Sequence, residues 1–249
     1  MQLTPAVRMS DPYSFDSRSA GWFVRPGDVV YDIGADRGGT AAMYLERGAA
    51  AVYSFEPLPA NRALVPDRVR NHPAFHLLPF ALSDSSGTAE LRVPEKNSAA
   101  STLSPKFSRL YQERRGGEVE VVEVETRTLD ELELPRAAFW KIDVEGAELE
   151  VLRGAERTLR DRKPDIVQLE MFNFDTYLYG STLNLLARHF AHLWTLGLTA
   201  EGRLVHYRVT PRSVQNPEVK EALRRARTPL YFASDRSFWD WTRNDRPAG

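Results

Sequence analysis

VVYDIGADRGGT, residues 29–40, is an apolar run that passes into an acidic, glycine-rich turn and then into a helical pattern. This order predicts a buried strand, a tight turn and a helix. Gly34 can adopt a positive φ angle, and Gly38 opens a helix whose first N–H groups are free to meet a ligand. The unit is typical of α/β proteins that bind a nucleoside at the turn.

An acid, Asp32, distinguishes this turn from that of dinucleotide-binding enzymes. The spacing is D-x-G-x-x-x-G, so Asp32 stands where the G-x-G-x-x-G pattern has its first glycine. A carboxylate at a strand end repels a pyrophosphate but suits an amino group or a sulfonium. The turn therefore indicates S-adenosylmethionine rather than NAD as the cofactor.

A second acid, Glu56, follows the next apolar run, AVYSF, and lies 24 residues after Asp32. In a nucleotide-binding unit, an acid about 20 residues beyond the glycine turn accepts hydrogen bonds from the ribose hydroxyls. The helical pattern between the two runs is expected to bring both carboxylates to the carboxyl edge of adjacent parallel strands. The alternative is structural, with Asp32 in a strand-end turn and Glu56 as a helix cap.

Two later apolar runs, FWKIDVEG and DIVQLE, also end in acids. Ligands of open α/β sheets bind at the carboxyl ends of the strands, so these acids are candidate site residues. Asp143, Glu145 and Glu170 are candidates for a general base or an orienting acceptor, with Asp143 favoured. Lys141 is the candidate for stabilising a developing alkoxide. The structural alternatives are a helix cap for Asp143 and a simple ion pair for Lys141.

Composition narrows the class of protein. The 249 residues, 42% hydrophobic and 27% charged, suffice for one sizeable core, so a single domain is expected. The 33 basic residues against 34 acids give a net charge of −1, which disfavours nucleic acid as a partner. The chain has no cysteine and no apolar run of membrane-spanning length, and its polar start is unlike a signal peptide. These features predict a cytoplasmic protein that does not enter a membrane.

The remaining patterns complete the expected elements. They predict a helix over residues 61–70, a third strand over 75–82, half-solvated antiparallel strands over 89–93 and 118–126, a hairpin over 193–208 and a last strand over 229–233.

A family resemblance emerges from seven motifs in order: VYDIGADRGG, FEP, PFALSDSSGTAEL, NSAAST, TLDEL, FWKIDVEGAELEVLRGA and DIVQLE. Together they resemble the FkbM family of S-adenosylmethionine-dependent methyltransferases over roughly residues 24–172, and KIDVEGAE is the most specific part. The resemblance implies an α/β, Rossmann-like class I methyltransferase fold. This fold has a mostly parallel seven-stranded sheet with a terminal antiparallel strand and helices on both faces.

Three parts are expected within a single domain spanning residues 1–249. Residues 1–23 form an N-terminal cap or lid, residues 24–172 the cofactor-binding core, and residues 173–249 complete the sheet and the acceptor pocket.

The resemblance also implies the cofactor contacts. The turn holds the methionine part, Glu56 the ribose and the loop from Ala81 to Asp84 the adenine, while Asp143 lies near the transferred methyl. The turn residues are Asp32, Gly34, Asp36 and Gly38. Asp36 stands where many members carry asparagine, a change that adds charge and removes hydrogen-bond donors.

The implied activity is O-methylation of a hydroxyl on a small metabolite, such as a sugar, polyketide or similar product of secondary metabolism. The alternatives are an N- or carboxyl-methyltransferase, or a non-catalytic module that binds S-adenosylmethionine. Asp143, Glu145 and Glu170 could also ligate Mg²⁺. This alternative is less favoured and no metal site is predicted, because no histidine or asparagine completes a ligand spacing. The sequence does not indicate an oligomeric state.

Overall fold

A computed structural model of the chain describes residues 22–171, 176–200, 204–210, 216–226 and 230–242. Its strands are β1 (Val29–Ile33), β2 (Ala51–Phe55), β3 (Phe75–Leu78), β4 (Ala81–Leu82), β5 (Gly87–Pro94), β6 (Val119–Arg127), β7 (Phe139–Ile142), β8 (Ile166–Glu170), β9 (His192–Leu198), β10 (Leu204–Arg208) and β11 (Leu230–Ser234). The cap or lid expected over residues 1–23 lies almost wholly outside the described residues.

The helices lie between these strands and after the last of them. They are α1 (Gly39–Glu46), α2 (Pro59–Ala63), α3 (Asp67–Arg70), α4 (Pro105–Arg115), α5 (Glu148–Arg153), α6 (Glu156–Asp161), α7 (Thr176–His189), α8 (Pro217–Ala226) and α9 (Phe238–Thr242). Across the described ranges, no helix is long and apolar enough to cross a membrane.

The main sheet has eight strands in the order β10-β9-β11-β8-β7-β1-β2-β3. The five strands from β8 to β3 run parallel. β11 runs antiparallel to both β8 and β9, and β10 runs antiparallel to β9. The predicted α/β class is confirmed, but the count of seven strands with a single terminal antiparallel strand is wrong. The sheet is mixed because β11 and β10 each run antiparallel to their neighbours, and the eighth strand is β10, which the β9–β10 hairpin adds at the edge.

A separate three-stranded sheet has the order β4-β6-β5. β4 pairs with β6 in parallel, and β5 pairs with β6 antiparallel, as the alternating pattern predicted. The third strand expected over residues 75–82 is divided between the two sheets. The division lies at Pro79, which has no N–H to donate to a continuous ladder.

Successive side chains of the central strands enter two cores, one on each face of the main sheet. Tyr31 and Trp140 pack with residues of α5, α6 and α7 on one face. Val30 and Phe139 pack with residues of α1 and α3 on the other face. This alternation is the period of two that an extended strand imposes, and it confirms helices on both faces. The cores fix the strand ends, and with them the loops that carry the acids.

Candidate active site

A cavity of about 400 Å³ opens at the carboxyl ends of β1, β2, β7 and β8. This volume lies within the range of small-molecule sites. Part of its wall comes from the segment between β5 and α4, through Ser98, Ala99, Ser101 and Leu103. Parallel strands end at one edge of their sheet, so the cavity lies where an open α/β sheet binds its ligand.

The loop after β1 packs directly on the loop after β7. Gly34 has a φ of 81°, and a Cβ added there would lie 1.8 Å from the carbonyl oxygen of Asp143. The backbone N–H of Asp143 donates to the carbonyl of Ile33 at 2.9 Å. Glycine is required at position 34 by this close approach as well as by the backbone angle. The contact sets the position of Asp143 in the cavity wall.

Two acids flank the ammonium group of Lys141. Its Nζ donates to Oδ2 of Asp143 at 2.9 Å and lies 3.9 Å from Oδ1 of Asp32. Asp32 is fully buried and accepts from the hydroxyl of Thr40 at 3.0 Å and 2.8 Å. Burial raises the pKa of Asp32, and the positive charge of Lys141 partly offsets this effect. Lys141 therefore links a fully buried carboxylate to a carboxylate that lines the cavity.

Glu56 holds the turn after β1 in place. Its Oε2 accepts from the backbone N–H of Asp36 at 2.8 Å, and its Oε1 accepts from the backbone N–H of Leu58 at 2.9 Å. Burial raises the pKa of Glu56 to about 7, although both backbone hydrogen bonds oppose the shift. Each oxygen has a further lone pair, so the carboxylate can still accept from a ligand in the cavity.

A second group of acids surrounds Glu145. Burial raises the pKa of Glu145 well above its usual range, and the nearby charges of Asp143, Glu170 and Glu148 add to this shift. Glu148 is itself buried, accepts from the backbone N–H of Gly146 at 2.9 Å and has its pKa raised by burial to about 7. Like charges in one poorly solvated place favour protonation, so this group can hold protons near neutral pH.

Two acids of the wall adopt left-handed backbone conformations. Asp36 has a φ of 49° and Glu145 a φ of 55°, and within the described ranges they are the non-glycine residues with positive φ. One side-chain oxygen of each, Oδ1 of Asp36 and Oε2 of Glu145, is buried without a hydrogen-bond partner among the described residues. Strained backbone clusters at ligand sites, and a buried oxygen without a partner calls for an explanation such as a ligand.

Most of the predicted site residues meet in this cavity. Those in its wall are Gly34, Asp36, Glu56, Ala81, Lys141, Asp143, Glu145 and Glu170. Asp32 lies behind the wall, and Gly38 caps α1 with a φ of 74°. Asp84 is exposed and accepts from the hydroxyl of Ser85 at 3.3 Å.

Sequence reasoning missed several wall residues. Asn61, Thr40, Leu91 and Leu103 line the cavity without belonging to a strand-end acid pattern. The NSAAST motif, residues 97–102, was the available signal for the wall residues Ser98, Ala99 and Ser101. Among the described residues, no group of three or more His, Asp or Glu side chains is arranged to hold a metal ion.

The chain matches a family model but no curated protein. A family model described as the methyltransferase FkbM domain matches residues 32–194. None of the curated proteins compared with the chain matches it.

Among solved structures, the chain is similar to a methyltransferase FkbM from Methylobacillus flagellatus KT, with 18% identity and a TM-score of 0.51. The match covers 90% of this chain but 56% of that one, so the chain spans little more than half of its relative. A precorrin-6y C5,15-methyltransferase from Geobacter metallireducens GS-15 matches at 11% identity and a TM-score of 0.45, over 94% of this chain and 93% of that one. The first similarity shows the class I methyltransferase fold.

Proposed function

The chain belongs to the FkbM methyltransferase family, and from that premise we propose that it uses S-adenosylmethionine to methylate a hydroxyl of a small metabolite. The observation that carries the proposal is the cavity at the carboxyl edge of the sheet. The Lys141–Asp143 pair lies in this cavity beside the turn after β1, which the Glu56 carboxylate holds through the backbone N–H of Asp36. A sugar, polyketide or similar natural product is the proposed class of acceptor.

The residues of the cavity suit S-adenosylmethionine. Glu56 offers lone pairs to the ribose hydroxyls. The Oδ1 atom of Asp36, which is buried without a hydrogen-bond partner among the described residues, suits a ligand that donates hydrogen bonds. The wall has five carboxyl groups and one lysine, so its balance stays negative even with Glu145 protonated, which suits a cationic sulfonium. The carboxylates are those of Asp36, Glu56, Asp143, Glu145 and Glu170.

S-adenosylmethionine supplies a methyl group that is electrophilic because a sulfonium carries it. The protein's own part is to place the acceptor and to take its proton. Lys141 holds Oδ2 of Asp143 at 2.9 Å, so Oδ1 remains to accept the hydroxyl proton. Lys141 is also a residue of the cavity wall, and its proposed role is to stabilise the developing alkoxide.

The charge of the wall also bears on the acceptor. An acceptor with a phosphate or carboxylate near its reacting hydroxyl would face Asp143 and Glu170. Juxtaposed like charges disfavour such a ligand. The net charge of −1 supports a small acceptor rather than a nucleic acid.

Two measurements test the proposal. Calorimetric titration is expected to show binding of S-adenosylmethionine and none of NADH, and the reverse result would contradict the choice of cofactor. A screen of hydroxylated metabolites is then expected to release S-adenosylhomocysteine with an uncharged acceptor. Binding of S-adenosylmethionine without turnover of any hydroxyl, amine or carboxylate acceptor would instead indicate a non-catalytic module.

A further inference from the structure

Thr102 lies against the strained part of the cavity wall, although 43 positions separate it from Glu145 in the chain. Its hydroxyl donates to the backbone carbonyl of Glu145 at 2.7 Å, and its side chain is almost fully buried. The same oxygen accepts from the backbone N–H of Ser104 at 2.9 Å. The hydroxyl therefore has a defined orientation and a single carbonyl to which it donates.

The backbone of Thr102 is itself anchored. Its N–H donates to the carbonyl of Arg92 at 3.0 Å, and its carbonyl accepts from the N–H of Arg92 at 2.9 Å. Arg92 belongs to β5, so Thr102 is attached to the three-stranded sheet. This sheet gives the hydroxyl a fixed support from which to hold the loop after β7.

The carbonyl that Thr102 holds belongs to a residue in an unfavourable conformation. Glu145 has a φ of 55°, a conformation that a residue with a Cβ keeps only when its surroundings impose it. Phe107 closes the same loop, because a Cβ added to Gly146 would lie 2.9 Å from its Cβ. In a relaxed conformation the Glu145 side chain would leave in a different direction from the backbone.

We propose that Thr102 is a positioning residue, which keeps the Glu145 carboxylate in the cavity by holding the Glu145 peptide in its left-handed conformation. The part of this inference that concerns turnover rests on the proposed function. The part that concerns the placement of the carboxylate does not.

The placement of the Glu145 carboxyl group can be measured without any methyl acceptor. The charged groups around the Glu145 carboxyl are Asp143, Glu148 and Glu170 on the acidic side and Lys141 on the basic side. If the peptide relaxes, the carboxyl gains solvent and moves away from these acids, so its pKa falls toward its ordinary range. Carbon-13 NMR of protein labelled at the glutamate carboxyls follows this titration, and Glu145→Gln assigns the signal.

The test compares Thr102→Val, which keeps the shape but removes the hydroxyl, with Thr102→Ser, which restores the hydroxyl. Thr195→Val is the matched control, because the Thr195 hydroxyl is also buried and donates to a backbone carbonyl, that of Leu230 at 2.6 Å. We expect Thr102→Val to lower the Glu145 titration midpoint, and both Thr102→Ser and Thr195→Val to leave it unchanged. If Thr102→Val does not fold, Thr102→Ala removes the same oxygen and repeats the test.

Turnover on an acceptor from the screen gives the second measurement. We expect Thr102→Val to lower kcat on the order of tenfold, the value of one hydrogen bond, with little change in the affinity for S-adenosylmethionine. The same substitution in a Glu145→Gln background should have no further effect. An unshifted midpoint, or an equal shift in Thr195→Val, would overturn the positioning role. A shifted midpoint in a protein that does not bind S-adenosylmethionine would instead contradict the proposed function alone.

Discussion

Replacing Gly34 with alanine inserts a methyl group between the loops that follow β1 and β7. The added Cβ would lie 1.8 Å from the carbonyl oxygen of Asp143 and 2.8 Å from its carbonyl carbon, whereas real Cβ contacts essentially never fall below 3.0 Å. The obstacle is backbone, so no side-chain rotation relieves it. The two loops must separate by more than 1 Å, which lengthens the 2.9 Å hydrogen bond from Asp143 to Ile33.

Two energies add in this substitution. Alanine at a φ of 81° costs about 1–2 kcal/mol because its Cβ disfavours the left-handed region. Forced separation of packed groups costs about 1–3 kcal/mol more. We therefore expect Gly34→Ala to lower the free energy of unfolding by about 2–5 kcal/mol.

Gly27→Ala is the matched control, because Gly27 has a φ of 88° and a Cβ there would meet nothing within 4 Å. Gly27→Ala should lower the free energy of unfolding by only about 1–2 kcal/mol, the cost of an alanine in the left-handed region. Urea unfolding measures both losses, and calorimetry measures the affinity for S-adenosylmethionine, which Gly34→Ala should weaken and Gly27→Ala should not. Equal losses of stability in the two variants, with unchanged affinity in both, would refute the role assigned to the contact between Gly34 and Asp143.

Three further predictions concern charged residues. Asp143→Asn should lower kcat by about 10²–10⁴-fold in the S-adenosylhomocysteine release assay, because it removes the proposed base; unchanged turnover would exclude that role. Lys141→Met should cost about 3–5 kcal/mol in urea unfolding, because it leaves the buried Asp32 carboxylate without its cation. Lys163→Met, which breaks a more exposed pair, should cost at most about 1 kcal/mol. The raised pKa of Glu56, about 7 against an ordinary 4.5, means that its ionisation destabilises the fold as the pH rises through that interval. Between about pH 4 and about pH 8, wild-type stability should therefore fall by on the order of 3 kcal/mol relative to Glu56→Gln, and parallel pH profiles from urea titrations would contradict this assignment.

The strands that carry the site were predictable because their signals are local. The apolar runs before Asp32, Glu56 and Asp143 each form a parallel strand of the main sheet. Their acids converge because parallel neighbours end at one edge, a rule that needs no knowledge of packing. The eighth strand was missed for a different reason. The hairpin that supplies it was predicted, but the pairing order of strands within a sheet is a long-range property.

The roles of individual acids were less predictable than their presence. Asp32 and Asp143 both follow the strand-end pattern, yet Asp32 is fully buried behind the wall while Asp143 lines the cavity. The difference depends on Lys141 and Thr40, whose side chains enclose Asp32. Glu148 was not singled out at all, because a glutamate in the first turn of a helix is ordinarily a solvated residue that favours the helix dipole.

The cavity wall also depends on contacts between residues far apart in the chain, which no local sequence pattern predicts. Gly34 approaches the segment from Asp143 to Gly146 from the side of β1, while Thr102 and Phe107 hold it from the side of α4. Between these supports, Glu145 keeps a left-handed backbone and an unsatisfied carboxylate oxygen. Neither property follows from the sequence DVEG. Without the packing of its neighbours, this segment would leave the left-handed conformation and expose the carboxylate to water. The family motif therefore specifies which acids reach the edge of the sheet, whereas the packing of two other elements on the loop decides where each carboxylate lies.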